Sequence, residues 1–211
     1  RDWFSEEGAS YPVRIFLYKD EVTVTIDTTG ESLHKRGYRK ASGKAPLTET
    51  LAAALILLTP WHADRILVDP LCGSGTFLIE AAMIAANIAP GMKRHFLSET
   101  WDNLIVQELW EESFAEASEL VDCDISTDIQ GYDIDGEVIK VARENAERAG
   151  VKDLIHFQKR AVSELHHPKK YGFILTNPPY GERMEEKESL PALYREIGKA
   201  FLGLDDWSMY M

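Results

Sequence analysis

The chain has 211 residues, of which 45% are hydrophobic and 27% charged, and a net charge of −12. This profile fits one soluble globular domain with at most a small appendage, and it excludes a surface that coats nucleic acid through general basicity. Cys72 and Cys123 are too few for a disulfide framework and lack metal-ligand spacing, no apolar run approaches the roughly 20 residues of a membrane span, and the first residues do not resemble a signal peptide, so a metal-free protein of the reducing cytoplasm is expected.

In chain order, residues 13–18 and 22–27 are β-rich runs joined by Lys19-Asp20-Glu21, which predicts a small hairpin with Val22, Val24 and Ile26 on one face. Residues 28–43 follow, rich in glycine, hydroxyls and base. They read as a long functional loop, with a solvated linker as the alternative. Lys35, Arg36, Arg39, Lys40 and Lys44 cluster there around Tyr38, whereas residues 98–128 hold ten acidic and no basic side chains, so one face can still be basic. Pro46 opens a helix whose stripe is Leu47, Leu51, Ala54, Leu55 and Leu58, and Pro60 ends it.

A buried strand at 65–69 then feeds a tight turn and a helix over 76–89 that is apolar nearly all round, which predicts burial on both sides. Residues 92–128 look like an insertion with one amphipathic helix carrying Val106, Leu109, Trp110, Phe114, Ala117, Leu120 and Val121. The alternation resumes with a strand at 129–133, a helix at 136–149 capped by Gly150, and a strand at 154–158. A strand ending at Asn177, a charged loop at 182–188, a helix striped by Leu190, Leu193, Tyr194, Ile197, Phe201 and Leu204, and a strand at 207–211 complete the chain. The fold class is α/β: a doubly wound, mostly parallel Rossmann-like sheet with right-handed crossovers and a small amino-terminal hairpin.

In such a sheet, ligands sit outside the carboxyl ends of the strands, and three strand ends carry unusual residues. Asp69-Pro-Leu-Cys-Gly-Ser-Gly-Thr76 offers Gly73 and Gly75 for close backbone approach, ahead of a helix N-terminus with free N–H groups. It matches neither the phosphate-binding pattern that ends in Lys nor Gly-x-Gly-x-x-Gly. Gly131-Tyr-Asp-Ile-Asp135 puts Asp133 at a strand end, suited to ribose hydroxyls, while Asp135 better fits a helix N-cap. In Asn177-Pro-Pro-Tyr180 the prolines cannot continue a ladder, so Asn177 projects from the strand end with Tyr180 beside it as an aromatic plane. A plain strand-terminating turn is the alternative.

Together and in this order, the three elements resemble the class I S-adenosylmethionine-dependent methyltransferases that act on exocyclic amino groups of nucleobases. More narrowly, residues 28–39, 44–53 and 69–76 look like the THUMP-associated RNA guanine-N2 methyltransferases, once named as N6-adenine-specific DNA methylases. The resemblance runs from about Asp27 to the end of the chain. It implies an amino-terminal hairpin and basic linker over 1–43 and a methyltransferase domain over 44–211, a fragment without the THUMP domain and the carboxyl end of the family fold.

The resemblance further implies S-adenosyl-L-methionine as cofactor. Its amino-acid part would lie at Asp69, Cys72, Gly73, Gly75 and Thr76, with Pro46 and Leu47 closing over its methionine end. Asp133 would hold the ribose and Ile134 would pack on the adenine. Where many relatives have an acidic residue beside the adenine amino group, this chain has Arg160-Ala161-Val162, which leaves that contact to the backbone of Ala161. The substrate would be ribosomal or transfer RNA, with no metal and no membrane.

An aryl amine is a poor nucleophile because its lone pair is delocalised into the ring. Asn177 Oδ1 and the Pro178 carbonyl are suited to accept its hydrogens and draw it toward tetrahedral geometry, with Pro179 stiffening the turn. Catalysis is then mostly positioning. Tyr180 would stack on an unpaired or flipped-out base. The rivals are a DNA adenine-N6 methyltransferase, since the same turn serves both amines, and a nucleotide-binding dehydrogenase or non-catalytic Rossmann module.

Overall fold

The apolar run that ends at Asp69 becomes the central strand of a five-stranded sheet in the computed structural model, which describes residues 7–39, 47–181 and 184–211, with side chains from residue 190 onward in the last segment. The strands are β3 (Leu67–Asp69), β4 (Ile129–Asp133), β5 (Ile155–Lys159), β6 (Phe173–Leu175) and β7 (Ser208–Tyr210). Their order is β5-β4-β3-β6-β7, and every neighbouring pair is parallel. The chain winds outward from β3 in one direction and then returns to add β6 on the other side. The strand order therefore reverses between β3 and β6, the place where a doubly wound sheet opens a crevice for a ligand.

Helix α2 (Thr76–Ala85) has all of Thr76 to Met83 buried, as a helix apolar nearly all round predicts, with Glu80 buried among them. It stops at Ala85 and not at Ala89, because Asn87 turns to a positive φ and gives its side-chain amide to the Leu120 carbonyl. Helix α4 (Gly136–Ala149) keeps its predicted bounds: the Asp135 carboxylate accepts from the Glu137 N–H at its start, and Gly150 closes it at φ 83°. These are the ordinary chemistries of a helix N-cap and C-cap.

Other expectations require correction. Helix α1 (Glu49–Leu58) turns Glu49, Ala52 and Ile56 inward, and Leu51 and Leu58 of the expected stripe face solvent. Its sequence is apolar on several faces, so the period alone did not choose among them. Of the charged loop expected at 182–188, the residues from Met184 onward instead belong to helix α5 (Met184–Leu202), and 182 and 183 lie outside the described residues. Helix α3 (Gln107–Glu119) of the insertion buries no residue fully, and Trp110 and Phe114 are only half-buried.

The hairpin β1 (Val13–Tyr18) and β2 (Glu21–Ile26) turns over Lys19 and Asp20, both at positive φ. Its register places Val13, Ile15 and Leu17 opposite Ile26, Val24 and Val22, so six aliphatic side chains share one face. All six are exposed, Ile15 at 72%.

Candidate active site at the strand reversal

The turn after β3 is tied to its neighbours by specific hydrogen bonds. The Cys72 N–H donates to the Tyr132 carbonyl at 2.8 Å, and the Gly73 N–H donates to Asp133 Oδ2 at 3.1 Å, which joins the glycine turn to the end of β4. Asp133 Oδ1 also accepts from the Asp135 N–H at 2.9 Å. Both oxygens are thereby oriented, and each keeps a lone pair for a ligand. From α4, the buried Asn145 donates to the Ser74 carbonyl at 3.2 Å.

The two glycines expected to approach a ligand differ in role. At Gly73 (φ 51°) an added Cβ would meet nothing within 4 Å, so the backbone there faces open space. At Gly75 (φ 84°) the same atom would lie 2.9 Å from the Phe157 ring and 3.2 Å from Ala142. Gly75 therefore serves packing of the turn against β5 and α4, and Gly73 alone presents an open backbone. Both also need the left-handed conformation that glycine adopts without strain.

Asp69 is buried at the end of β3, where Oδ1 accepts from the Leu71 N–H at 3.1 Å. Burial pushes its carboxyl up to about 7 and the nearby Asp133 charge adds to the rise, opposed by the neighbouring Thr176 hydroxyl and by the Leu71 N–H. Burial also pushes the Cys72 thiol well above its usual range, with Asp69 and Asp133 adding to the effect. A buried thiol held protonated in this way is a poor nucleophile.

On the other side of the reversal, Thr176 is buried and its N–H donates to the Tyr210 carbonyl at 3.1 Å, which fixes the root of the Asn177 turn. Pro178 is buried, Pro179 is exposed, and the Pro179 carbonyl accepts from the Tyr194 hydroxyl of α5 at 3.3 Å. Tyr180 is 65% exposed, and its hydroxyl donates to Asn177 Oδ1. The oxygen expected to receive an amine is therefore engaged by its own turn. Ile134 is exposed beside Asp133, as an open ligand-packing position requires. The Ala161 N–H donates to Glu164 Oε2 at 3.2 Å and its carbonyl accepts from the Glu164 N–H at 3.0 Å, which leaves one carbonyl lone pair for an adenine amino group. Pro46, Lys40 and Lys44 lie outside the described residues.

Sequence reasoning missed Arg39 as a neighbour of this site. Its guanidinium donates to Thr76 Oγ1 at the start of α2 and to the Leu47 carbonyl at 3.0 Å, and it pairs with the buried Glu49 at 3.3 Å. Three residues earlier, Arg36 pairs with Glu80 of α2, and Tyr38 donates to the same carboxylate at 3.0 Å. Residues 36–39 are thus docked on α2 and are not a solvated linker. A glutamate in the middle of an otherwise apolar helix was the available signal, because a buried charge needs a partner.

Among the described residues no cluster of His, Cys, Asp and Glu could hold a metal ion, and no helix is long and apolar enough to cross a membrane. Residues 36–211 match the family model described as RMKL-like, methyltransferase domain. The Bacillus subtilis (strain 168) protein YpsC, provisionally named an RNA methyltransferase, is 49% identical over 210 residues, which take in 100% of this chain and 54% of that protein. The crystal structure of a Listeria monocytogenes strain 4b F2365 protein, named a predicted N6-adenine-specific DNA methylase, is 49% identical with a TM-score of 0.92, over 97% of this chain and 53% of that one. SMU.472, provisionally named a methyltransferase and solved in complex with SAH, is 44% identical with a TM-score of 0.89, over 97% of this chain and 53% of that one. The chain spans about half the length of the curated relatives it matches.

Proposed function

We propose that this chain, which belongs to the RMKL-like methyltransferase domain family, transfers a methyl group from S-adenosylmethionine to the exocyclic N2 amine of a guanosine in ribosomal or transfer RNA. The observation that carries the reading is the pairing, across the strand reversal, of an open glycine turn with an Asn-Pro-Pro-Tyr turn on the adjacent strand end. The first suits a cofactor and the second an amine.

The residues present fit the cofactor. Gly73 leaves its backbone open, Asp133 presents an oriented carboxylate for ribose hydroxyls, and Ile134 offers an exposed apolar surface for adenine. The turn from Asp69 to Thr76 would take the amino-acid part, with Leu47 closing over its methionine end. When bound, the cofactor supplies the electrophilic methyl group. The chain's own work is to bind and orient the amine. Asn177 Oδ1 exchanges the Tyr180 hydroxyl for a substrate N–H, the Pro178 carbonyl accepts the second hydrogen, and the nitrogen lone pair is drawn out of the ring. Tyr180, released from Asn177, is then free to stack on the base. No general base is required before transfer: the N–CH3 bond would form as the S–CH3 bond breaks, S-adenosylhomocysteine would leave, and the methylated nitrogen would then lose one proton to solvent.

The second reading is adenine N6 in DNA, favoured by the name of the Listeria relative and by the equal fit of the turn to either amine. Tritiated-cofactor assays on total RNA and on DNA separate the two, and label confined to DNA would overturn the RNA reading. Mass spectrometry of nucleosides from a deletion strain should show loss of N2-methylguanosine from one ribosomal or transfer RNA fraction.

A further inference from the structure

We infer that the cavity between residues 31–39, the start of α1 and Lys93-Arg94 is a binding track for the phosphodiester backbone of the RNA substrate, an inference that rests on the RNA reading above. The cavity has a volume of about 540 Å³ and is lined by His34, Lys35, Arg36, Arg39, Lys93 and Arg94. A concentration of base at one place on a chain of net charge −12 needs a physical reason, since solubility would be served by acids there as elsewhere.

The cations outnumber the acids that face them. Glu31 pairs with Lys35, Glu49 with Arg39 and Glu80 with Arg36. Lys93 and Arg94 hydrogen-bond only to carbonyl oxygens among the partners the structure gives them: Lys93 to that of Arg148, and Arg94 to those of Thr29, Glu31 and Ser32. Hydrogen bonds to carbonyls fix these side chains without neutralising their charge, so among the described residues the walls carry a surplus of two positive charges. Thr48, the residue before α1, makes no side-chain capping bond, so the N-terminal N–H groups of that helix add a partial positive charge to the same cavity.

The location suits a strand that must reach the active site. At one end Arg39 bridges to Thr76 beside the glycine turn, and at the other Lys93 meets the carboxyl end of α4 at Arg148. A backbone laid along this track is held by charge and by fixed N–H donors without being read by sequence, the usual division between phosphate and base contacts.

The test uses the full-length protein carrying this chain, a fluorescently labelled single-stranded RNA, and anisotropy across a salt series. Lys35 and Lys93 are exposed, and neither contacts the proposed cofactor residues. Lys35→Gln with Lys93→Gln should weaken RNA binding roughly ten-fold at about 0.1 M salt and reduce the salt slope by about 1.4, the share of two single-strand phosphate contacts. The Lys35→Arg, Lys93→Arg protein should restore both. Affinity for S-adenosylhomocysteine, measured by calorimetry, should stay at the wild-type value in all three proteins. Unchanged RNA affinity and slope in the Gln protein, or absence of RNA binding by the wild type, overturns the track while leaving the methyltransferase reading standing. Loss of S-adenosylhomocysteine binding by the wild type would instead strike that reading.

Discussion

The hydroxyl of Tyr180 donates a hydrogen bond to Oδ1 of Asn177, the oxygen that the proposed chemistry assigns to the substrate amine. The two residues therefore exchange partners when a base arrives, and their variants should separate. Asn177→Ala removes an acceptor whose hydrogen bond strengthens as the nitrogen becomes tetrahedral. It should lower the single-turnover methylation rate by about 10² to 10³ with little change in cofactor affinity. Tyr180→Phe deletes only the competing hydroxyl and should hold or raise that rate, whereas Tyr180→Ala should weaken RNA capture by roughly 1 to 3 kcal/mol. A wild-type rate in the Asn177→Ala enzyme would reduce the motif to a plain turn.

Asp133→Ala tests the cofactor half of the site. The Gly73 N–H loses its carboxylate partner, and the ribose hydroxyls lose a charge-assisted acceptor worth on the order of 1.5 to 3 kcal/mol. Calorimetry should find S-adenosylhomocysteine bound roughly ten- to hundred-fold more weakly, with the circular dichroism spectrum retained. Equal affinity in the variant would remove Asp133 from the site.

The carboxyl of Asp69 sits at about 7 because it is buried. An unfolded aspartate titrates near 3.9, so the native state binds this proton more tightly than the unfolded chain does. The stabilisation is fully present below about pH 4 and is lost as pH rises to about 7, a total on the order of 3 to 4 kcal/mol. Urea unfolding at pH 5 and pH 8 should therefore show a larger loss of stability for the wild type than for Asp69→Asn. Cofactor binding should release this proton near pH 6.5, since an ammonium group nearby lowers a carboxyl pKa. Calorimetry in buffers of different ionisation enthalpy reads that release directly, and equal pH dependence in wild type and Asp69→Asn would contradict the assignment.

Glu80 is the shared acceptor for Arg36 and Tyr38 and is 2% exposed. Burial pushes its carboxyl up while the Arg36 guanidinium opposes the shift. Glu80→Ala would leave a largely buried guanidinium unpaired and should cost about 3 to 5 kcal/mol in urea unfolding. Arg36→Met with Glu80→Leu removes both charges together and should recover most of that loss. A double variant as unstable as Glu80→Ala would show that the cost arises from packing and not from the orphaned charge.

The elements whose signals are local were legible in the sequence. β4 and α4 have the expected bounds because Asp135 and Gly150 fix the helix ends by short-range hydrogen bonding and backbone conformation. The two adjacent prolines signalled a strand end near Asn177, although β6 stops two residues earlier, at Leu175. What depended on distant partners was not legible. The inward face of α1 is set by the pairing of Glu49 with Arg39, and the docking of residues 36–39 is set by Glu80. The packing role of Gly75 depends on Phe157, a ring on β5 that no local pattern connects to it. The engagement of Asn177 by Tyr180 joins residues three apart, yet it depends on how the side chains turn and not on residue type.

The position of β3 also bears on how the molecule is made. It is the first strand of the sheet to be synthesised and becomes the central one, but its partners arrive only with Ile129 on one side and Phe173 on the other. Until then β3 and the almost wholly apolar α2 have no sheet to join, and loop closure across the insertion must precede any ladder. Refolding should therefore be slow for a domain of this size. A nascent chain stalled before residue 129 should recruit chaperones that bind exposed apolar segments, and one extended past Phe173 should release them.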